Sequence, residues 1–320
     1  MIKHFLIGLM IAAVMTAMIP SSARTQSFTV GTSAQGSSGY AMTGAMAKVA
    51  LKASRLRLRA MPQGGPTVTL PLVNQGDLDF SIAVSFVARF GVQGSAMFSG
   101  IGPLDDLRVV AALRVLPLGV MVPRDSDVKR LSDFRGRNMP TKFNTQKIMG
   151  AMMTAVYEMG GMTAEDIIGF PTPTGERAVE DLIAGRIAGT LYTMDAGLTQ
   201  QANAKIGIRY IGIENNEENS AILARHAPGA VIGMIEPGDA YAGLDEPVNV
   251  IVAPFLLMAN KDVHPAVVRQ LLEALHDHKA SLVASFSGFD SFNPERMYQE
   301  VDMPYHEGAL AFYREIGQLN

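Results

Sequence analysis

The sequence predicts an α/β protein of two lobes, each built on a mostly parallel sheet, with a ligand cleft between them. Three observations point there. The 320 residues are 48% hydrophobic and 18% charged, which supplies apolar surface for large cores and lies far from the composition of disordered chains. A strand-like run, a polar loop and an apolar helix recur in the same order about a hundred residues apart. In each of these units a glycine closes a helix just before a buried strand.

The elements follow in order. Phe28 to Thr32 is a β-prone run, Ser33 to Gly39 a polar loop, and the helix after it carries Gly44-Ala45-Met46. Arg55, Arg57 and Arg59 alternate with Leu56 and Leu58, which reads as the solvated face of a strand. Leu72 to Leu78, with Gly76 as terminator, leads into a strand at Phe80 to Val84. Leu107 to Val115 and Leu118 to Val122 read as two strands, and Ser126 to Gly136 as short helical turns. The second unit then repeats the first. Arg137 to Thr141 is the strand, Lys142 to Gln146 the loop, Gly150-Ala151-Met152 lies in the helix, and Gly185 ends a helix before Gly189 to Thr193. Strand, loop and helix recur in any α/β protein, so the pattern admits coincidence as well as duplication. Thr163 caps a turn rich in acids, Ile208 to Ile213 is a strand, Glu214 to Asn219 a surface connection, and Val267 to His278 a helix. The chain is expected to cross between lobes near Leu116 and near Glu214. This assigns 24–115 and 214–320 to lobe 1 and 116–213 to lobe 2.

The amino terminus reads as an export signal. Lys3 and His4 precede an apolar run from Phe5 to Ile19, and Pro20-Ser21-Ser22-Ala23 offers a breaker and small residues before a cut after Ala23. Residues 1–23 are therefore expected to be a signal peptide and the remainder a periplasmic monomer. The sequence has no cysteine, so a cysteine-borne lipid anchor, disulfides and thiolate metal sites are excluded. With 27 basic and 30 acidic side chains the net charge is −3, which argues against nucleic acid as a partner.

Motifs of catalysis and cofactor binding are missing. There is no Gly-x-Gly-x-x-Gly, no Gly-x-x-x-x-Gly-Lys, no Gly-x-Ser-x-Gly and no His-Glu-x-x-His. His276 and His278, two apart on one helix, point to different faces and cannot chelate together. The 20 methionines are spread along apolar helices and read as adaptable core. No cofactor, metal or catalytic residue is expected. What remains suits binding, because a polar loop feeding a helix presents unsatisfied N–H groups that hold an anion. In the first unit that loop offers Ser33, Gln35, Gly36, Ser37, Ser38 and Tyr40; in the second, Lys142, Phe143, Asn144 and Thr145. Ordinary helix capping is the plain alternative for either loop alone. Ser85 and Asp195, just past the carboxyl ends of strands, are expected to face the same cleft.

Several spaced signatures resemble the TAXI receptors, the solute-catching subunits of tripartite (TRAP) transporters. They are Gly31-Thr32 before a glycine- and serine-rich loop, Gly64-Gly65 before a helix, Gln75 to Phe80, Leu131 to Gly136, and the turn from Pro237-Gly238 through Tyr241 to Gly243. The resemblance covers the whole chain after the export signal. It implies a type II-like periplasmic binding fold, ligands related to glutamate, glutamine or 2-oxoglutarate, delivery to a TRAP-type membrane permease, and further contacts around Gly64, Ser85 and Tyr192 to Asp195. The chain departs from that family in its ligand loop, where one tyrosine and no proline stand, and in Ala83-Val84-Ser85-Phe86, where a polar ending is usual. A less polar organic acid, with its apolar or aromatic body near Phe86, Phe143 or Tyr40, is the expected solute. A ligand sensor on the same scaffold is the alternative, and an exported enzyme using Asp195 as acid or base a further one.

Overall fold

The computed structural model describes residues 27–319; the expected signal peptide lies outside them. Lobe 1 begins with β1 (Ser27–Thr32), α1 (Ser38–Ser54), β2 (Arg57–Pro62), α2 (Pro66–Asn74), β3 (Phe80–Val84) and α3 (Ser85–Gln93). A long strand, β4 (Leu107–Pro123), leaves it. Lobe 2 contributes β5 (Asn138–Thr141), α4 (Lys147–Met159), β6 (Ile168–Pro171), α5 (Gly175–Ile183), β7 (Thr190–Thr193), α6 (Gly197–Ile206) and β8 (Ile208–Ile211). After α7 (Glu217–His226) and β9 (Val231–Ile235), a second long strand, β10 (Val248–Asn260), leads to α8 (Pro265–Asp277), α9 (Lys279–Ser285) and α10 (Glu307–Glu315).

The sheet differs from the expectation of one mostly parallel sheet per lobe. A single mixed sheet runs β2-β1-β3-β10-β4-β7, with β8 on β4 and β9 on β10, and β5-β6 form a separate pair. Only β2-β1-β3 and β5-β6 are parallel; β10 is antiparallel to β3 and β4, and β7 and β8 are antiparallel to β4. The two strands expected on either side of Leu116 are one. Pro117 reads as a break because it cannot donate to a ladder, yet β4 continues through it, with Pro117 opposite Val252 and Val115 opposite Pro254. Each crossing strand thus carries a proline where it passes between the lobes, and register shifts follow at Phe255/Leu256 and Leu257/Met258.

The second crossing lies later than Glu214. Helix α7 packs on α4, Arg225 and His226 reach Glu158 at 2.7 and 3.0 Å, and β9 pairs with the first half of β10. The chain returns along β10, whose second half pairs with β3. The polar run at 214–219 was misleading because its amides cap a helix: Asn216 accepts from the Asn219 N–H at 2.8 Å. Elsewhere the pattern holds. Leu58 is buried between exposed Arg57 and Arg59, and α8 buries Val267, Val268, Leu271, Leu272 and Leu275 at helical spacing. The chain end closes lobe 1 over β4, where the buried Tyr313 hydroxyl donates to Val110 O at 2.7 Å and Met297 O accepts from Ala112 N–H at 2.8 Å.

Candidate functional site in the interlobe cleft

A cavity of about 100 Å³ lies between the lobes, and the first turns of five helices open onto it. Lobe 1 presents Ser37, Ser38 and Gly39 at the start of α1, Pro66 and Thr67 of α2, and Phe86 and Val87 of α3; lobe 2 presents Ile148 and Met149 of α4 and Glu176 of α5. The crossing strands supply Leu116, Leu118 and Phe255, and β7 supplies Tyr192 and Thr193. The walls are mostly apolar, and among the described residues no Lys, Arg or His lines them. Positive potential at this site comes from helix N-termini instead.

Local sequence explains each placement. Ser37 accepts from the Tyr40 N–H at 3.2 Å and so starts α1. Gly65, with φ +90°, lets the chain turn into α2, and a β-carbon on it would come within 2.7 Å of Ser33 Oγ. The same point lies 4.0 Å from Gln146 Nε2, so the serine of lobe 1 and the amide of lobe 2 lie near each other at the cleft. Thr174 accepts from the Arg177 N–H at 3.1 Å and starts α5, which sets Glu176 in its first turn.

The polar groups of lobe 2 are organised around Glu176, which is 9% exposed. The Gln146 amide is held in one orientation: its Oε1 accepts from Gly175 N–H at 2.7 Å, and its Nε2 donates to Glu176 Oε2 at 2.8 Å. Burial pushes the Glu176 carboxyl above its usual range, opposed by hydrogen bonds. No ion pair reaches it among the described residues: Arg177 on its own helix pairs with Glu180 and Asp181. Burial and the nearby Glu176 charge raise the Tyr192 phenol well above its ordinary value. Its buried hydroxyl lies beside that carboxyl and makes no well-formed hydrogen bond among the described residues.

Of the sequence-predicted residues, Ser33, Ser37, Ser38, Gly64, Phe86 and Tyr192 line the cavity. Gln35, Gly36, Tyr40 and Ser85 do not: Gln35 Nε2 instead donates to Tyr40 Oη at 3.3 Å, and Gly36 O accepts from Leu198 N–H across the lobes at 3.2 Å. Lys142, Phe143 and Asn144 open into a different pocket, on the flank of α4 with Tyr157 and Glu158. Lys142 takes a left-handed φ of 55°, which swings the loop away from the cleft. Thr145 is exposed but abuts Gly64, and the next residue, Gln146, enters the cavity in its place. The two loops are therefore not the matched jaws their sequences suggest.

Asp195 departs furthest from expectation. Its side chain and that of Arg114 are fully buried, with Arg114 Nη1 2.5 Å from Asp195 Oδ2 and Nη2 2.9 Å from Oδ1. Ser38 donates to Oδ1 at 2.8 Å and accepts from Arg114. The guanidinium carbon sits 5.5 Å from the Phe255 ring centre and 5.3 Å from that of Phe286. A carboxylate so held links β7, β4 and α1, and is sealed from solvent rather than poised as an acid or base.

The profile of the NMT1-like family matches residues 30–317. The chain belongs to the NMT1-like family. A solved periplasmic transporter is similar over 93% of this chain and 94% of its own, at 16% identity and TM-score 0.60. The malate-bound MatC of Rhodopseudomonas palustris is similar over 92% and 97%, at 13% identity and TM-score 0.59. The methylphosphonate complex of PhnD1 from Prochlorococcus marinus is similar over 92% and 100%, at 9% identity and TM-score 0.52. The fold is that of two-domain periplasmic binding proteins.

Within this NMT1-like chain, sequence reasoning missed Arg114, Gln146, Glu176 and Phe255. Thr174-Gly175-Glu176 reads as an ordinary capped helix start with an acid in its first turn, and nothing local marks the acid as buried. Arg114 interrupts an apolar run, Leu107–Val122, and that interruption was the available signal: a buried arginine requires a buried partner.

Proposed function

We propose that this chain is a periplasmic solute-binding receptor that captures a small organic acid with one carboxylate and an apolar body and delivers it to a membrane permease of the TRAP type. One observation carries the reading: five helix N-termini converge on an apolar interlobe cavity whose lining, among the described residues, holds no basic side chain. Three of them, α2, α3 and α4, have no side-chain cap, and their first-turn N–H groups suit one carboxylate. Phe86, Phe255, Leu116, Leu118 and Met149 suit a hydrocarbon or aromatic body. A dianion finds no cation to balance its second charge and meets Glu176 instead. MatC holds malate within the same fold, so the scaffold accommodates an organic acid. The permease assignment rests on the resemblance to TAXI receptors, with residues 1–23 as its export signal.

The test is to release whatever the purified protein carries by denaturation, identify it by mass spectrometry, refold, and titrate calorimetrically with the recovered compound and a panel of mono- and dicarboxylates. Reversible, stoichiometric binding of a monocarboxylate, unchanged on recovery, supports the receptor. Binding to none of the panel, or recovery of a chemically altered compound, refutes it.

A further inference from the structure

The lobe 2 side of the cavity is built for more than closure. Glu176, Tyr192 and Gln146 come from three elements, α5, β7 and the cap of α4, and all line the cavity. Gln146 spends its oxygen on Gly175 N–H and one N–H on Glu176 Oε2. Tyr192 is 5% exposed, and its hydroxyl lies beside the Glu176 carboxyl without a well-formed hydrogen bond among the described residues. A buried hydroxyl without a partner is costly unless something else satisfies it, and a buried carboxylate facing no cation is costlier still. Both deficits would be met by one group that donates hydrogen bonds.

Resting on the receptor reading above, we infer that Glu176, Tyr192 and Gln146 form a second recognition pole that takes a hydroxyl or ammonium donor on the solute and refuses a second carboxylate. The geometry sets where that donor sits. Ser33 Oγ and Gln146 Nε2 both lie within 4.0 Å of the point a β-carbon on Gly65 would occupy, so the two sides of the clamp are close together. A carboxylate on the α1 and α2 side and a donor on the carbon next to it span that gap. The solute is thus an α-amino or α-hydroxy acid with an apolar side chain lying along Phe86 and Phe255. Refusal follows from the same atoms: a carboxylate beside Glu176 would bring two anions together in an apolar pocket.

The experiment uses a matched series that differs only at the α-carbon: phenylalanine, 3-phenyllactate, 3-phenylpropionate and benzylmalonate, titrated calorimetrically into the full protein stripped of bound solute. The expected result is that one or both of the first two bind at least about tenfold tighter than 3-phenylpropionate, the scale of one hydrogen bond to a charged group, and that benzylmalonate binds weakest. Comparing those two shows whether the donor is ammonium or hydroxyl. In Glu176→Gln the advantage of the donor should shrink to about threefold or less, with the benzylmalonate penalty relieved, while 3-phenylpropionate binding persists. Tyr192→Phe, which removes only a hydroxyl, should shrink the advantage in part and guards against a folding defect in the first variant. Equal or tighter binding of 3-phenylpropionate in the unaltered protein overturns the second pole and leaves the receptor reading standing. If none of the series and no other carboxylate binds, both fall.

Discussion

Two carboxylates lie on lobe 2 beside the same cleft, and their surroundings are opposite. Asp195 has a guanidinium, a serine hydroxyl and no solvent, and its partners come from lobe 1 and a crossing strand. Glu176 has only neutral donors, Gln146 with Thr174 and Tyr192 nearby, no cation among the described residues, and a place on the cavity wall. A buried carboxylate paired with a cation, as Asp195 is even though its Oδ2 makes no hydrogen bond, is part of the frame, whereas a buried acid on a cavity wall with no cation is a candidate for binding. The sequence reading named Asp195, which follows a strand, and passed over Glu176, which looks like a helix cap.

Breaking the paired carboxylate should have the largest effect. Arg114→Met strands Asp195 without its cation and is expected to cost about 3–5 kcal/mol in denaturant unfolding. A cost under about 1 kcal/mol would make the pair no more important than an exposed ion pair. Ser37→Ala removes the α1 cap without touching either carboxylate and should cost about 1 kcal/mol in the same assay; no loss would mean that α1 starts without it.

The carboxylate without a cation should respond with the opposite sign. Burial raises the folded Glu176 pKa, so the folded protein keeps a proton that the unfolded chain releases. Between the unfolded and folded pKa values stability therefore falls as pH rises. Glu176→Gln removes that fall and is expected to stabilise the empty protein by up to about 1 kcal/mol, with a larger gain in Tm at pH 7 than at pH 4.5. A variant less stable at pH 7 would show that the carboxylate is already satisfied. Smallest of all should be Lys142→Ala, whose charge lies on the other pocket: stability within about 0.5 kcal/mol and unchanged carboxylate affinity by calorimetry. A tenfold loss of affinity would return Lys142 to the cleft.

Much of the fold was legible. Strand runs at 28–32 and 80–84, most of the run read at 208–213 (the strand ends at Ile211), the periodicity of α8 and the capping of α1 are local signals, set by alternation, helical spacing and side chains that reach their own backbone. Sheet organisation was less so. Pro117 looked like a strand end, because a residue's own chemistry cannot say that its partner in the ladder, Val252, will accommodate it. In the site, Ser33, Ser37, Ser38, Gly64 and Phe86 were legible because they adjoin helix starts. Gln146 was passed over for its more conspicuous neighbours Lys142 and Asn144, whose polarity is what an exposed loop also requires.

By itself the sequence determined that the chain is α/β, where most helices begin and end, and that no cysteine is available. These follow from properties of single residues and of short spacings. Only the tertiary structure decided that one mixed sheet runs through both lobes, that the second loop turns aside at Lys142, and which buried acid has a cation. Burial and pairing belong to groups far apart in the chain: Asp195 stands 81 residues from Arg114 and 157 from Ser38. The free energy of a carboxylate depends on what surrounds it in space, and no local pattern records that.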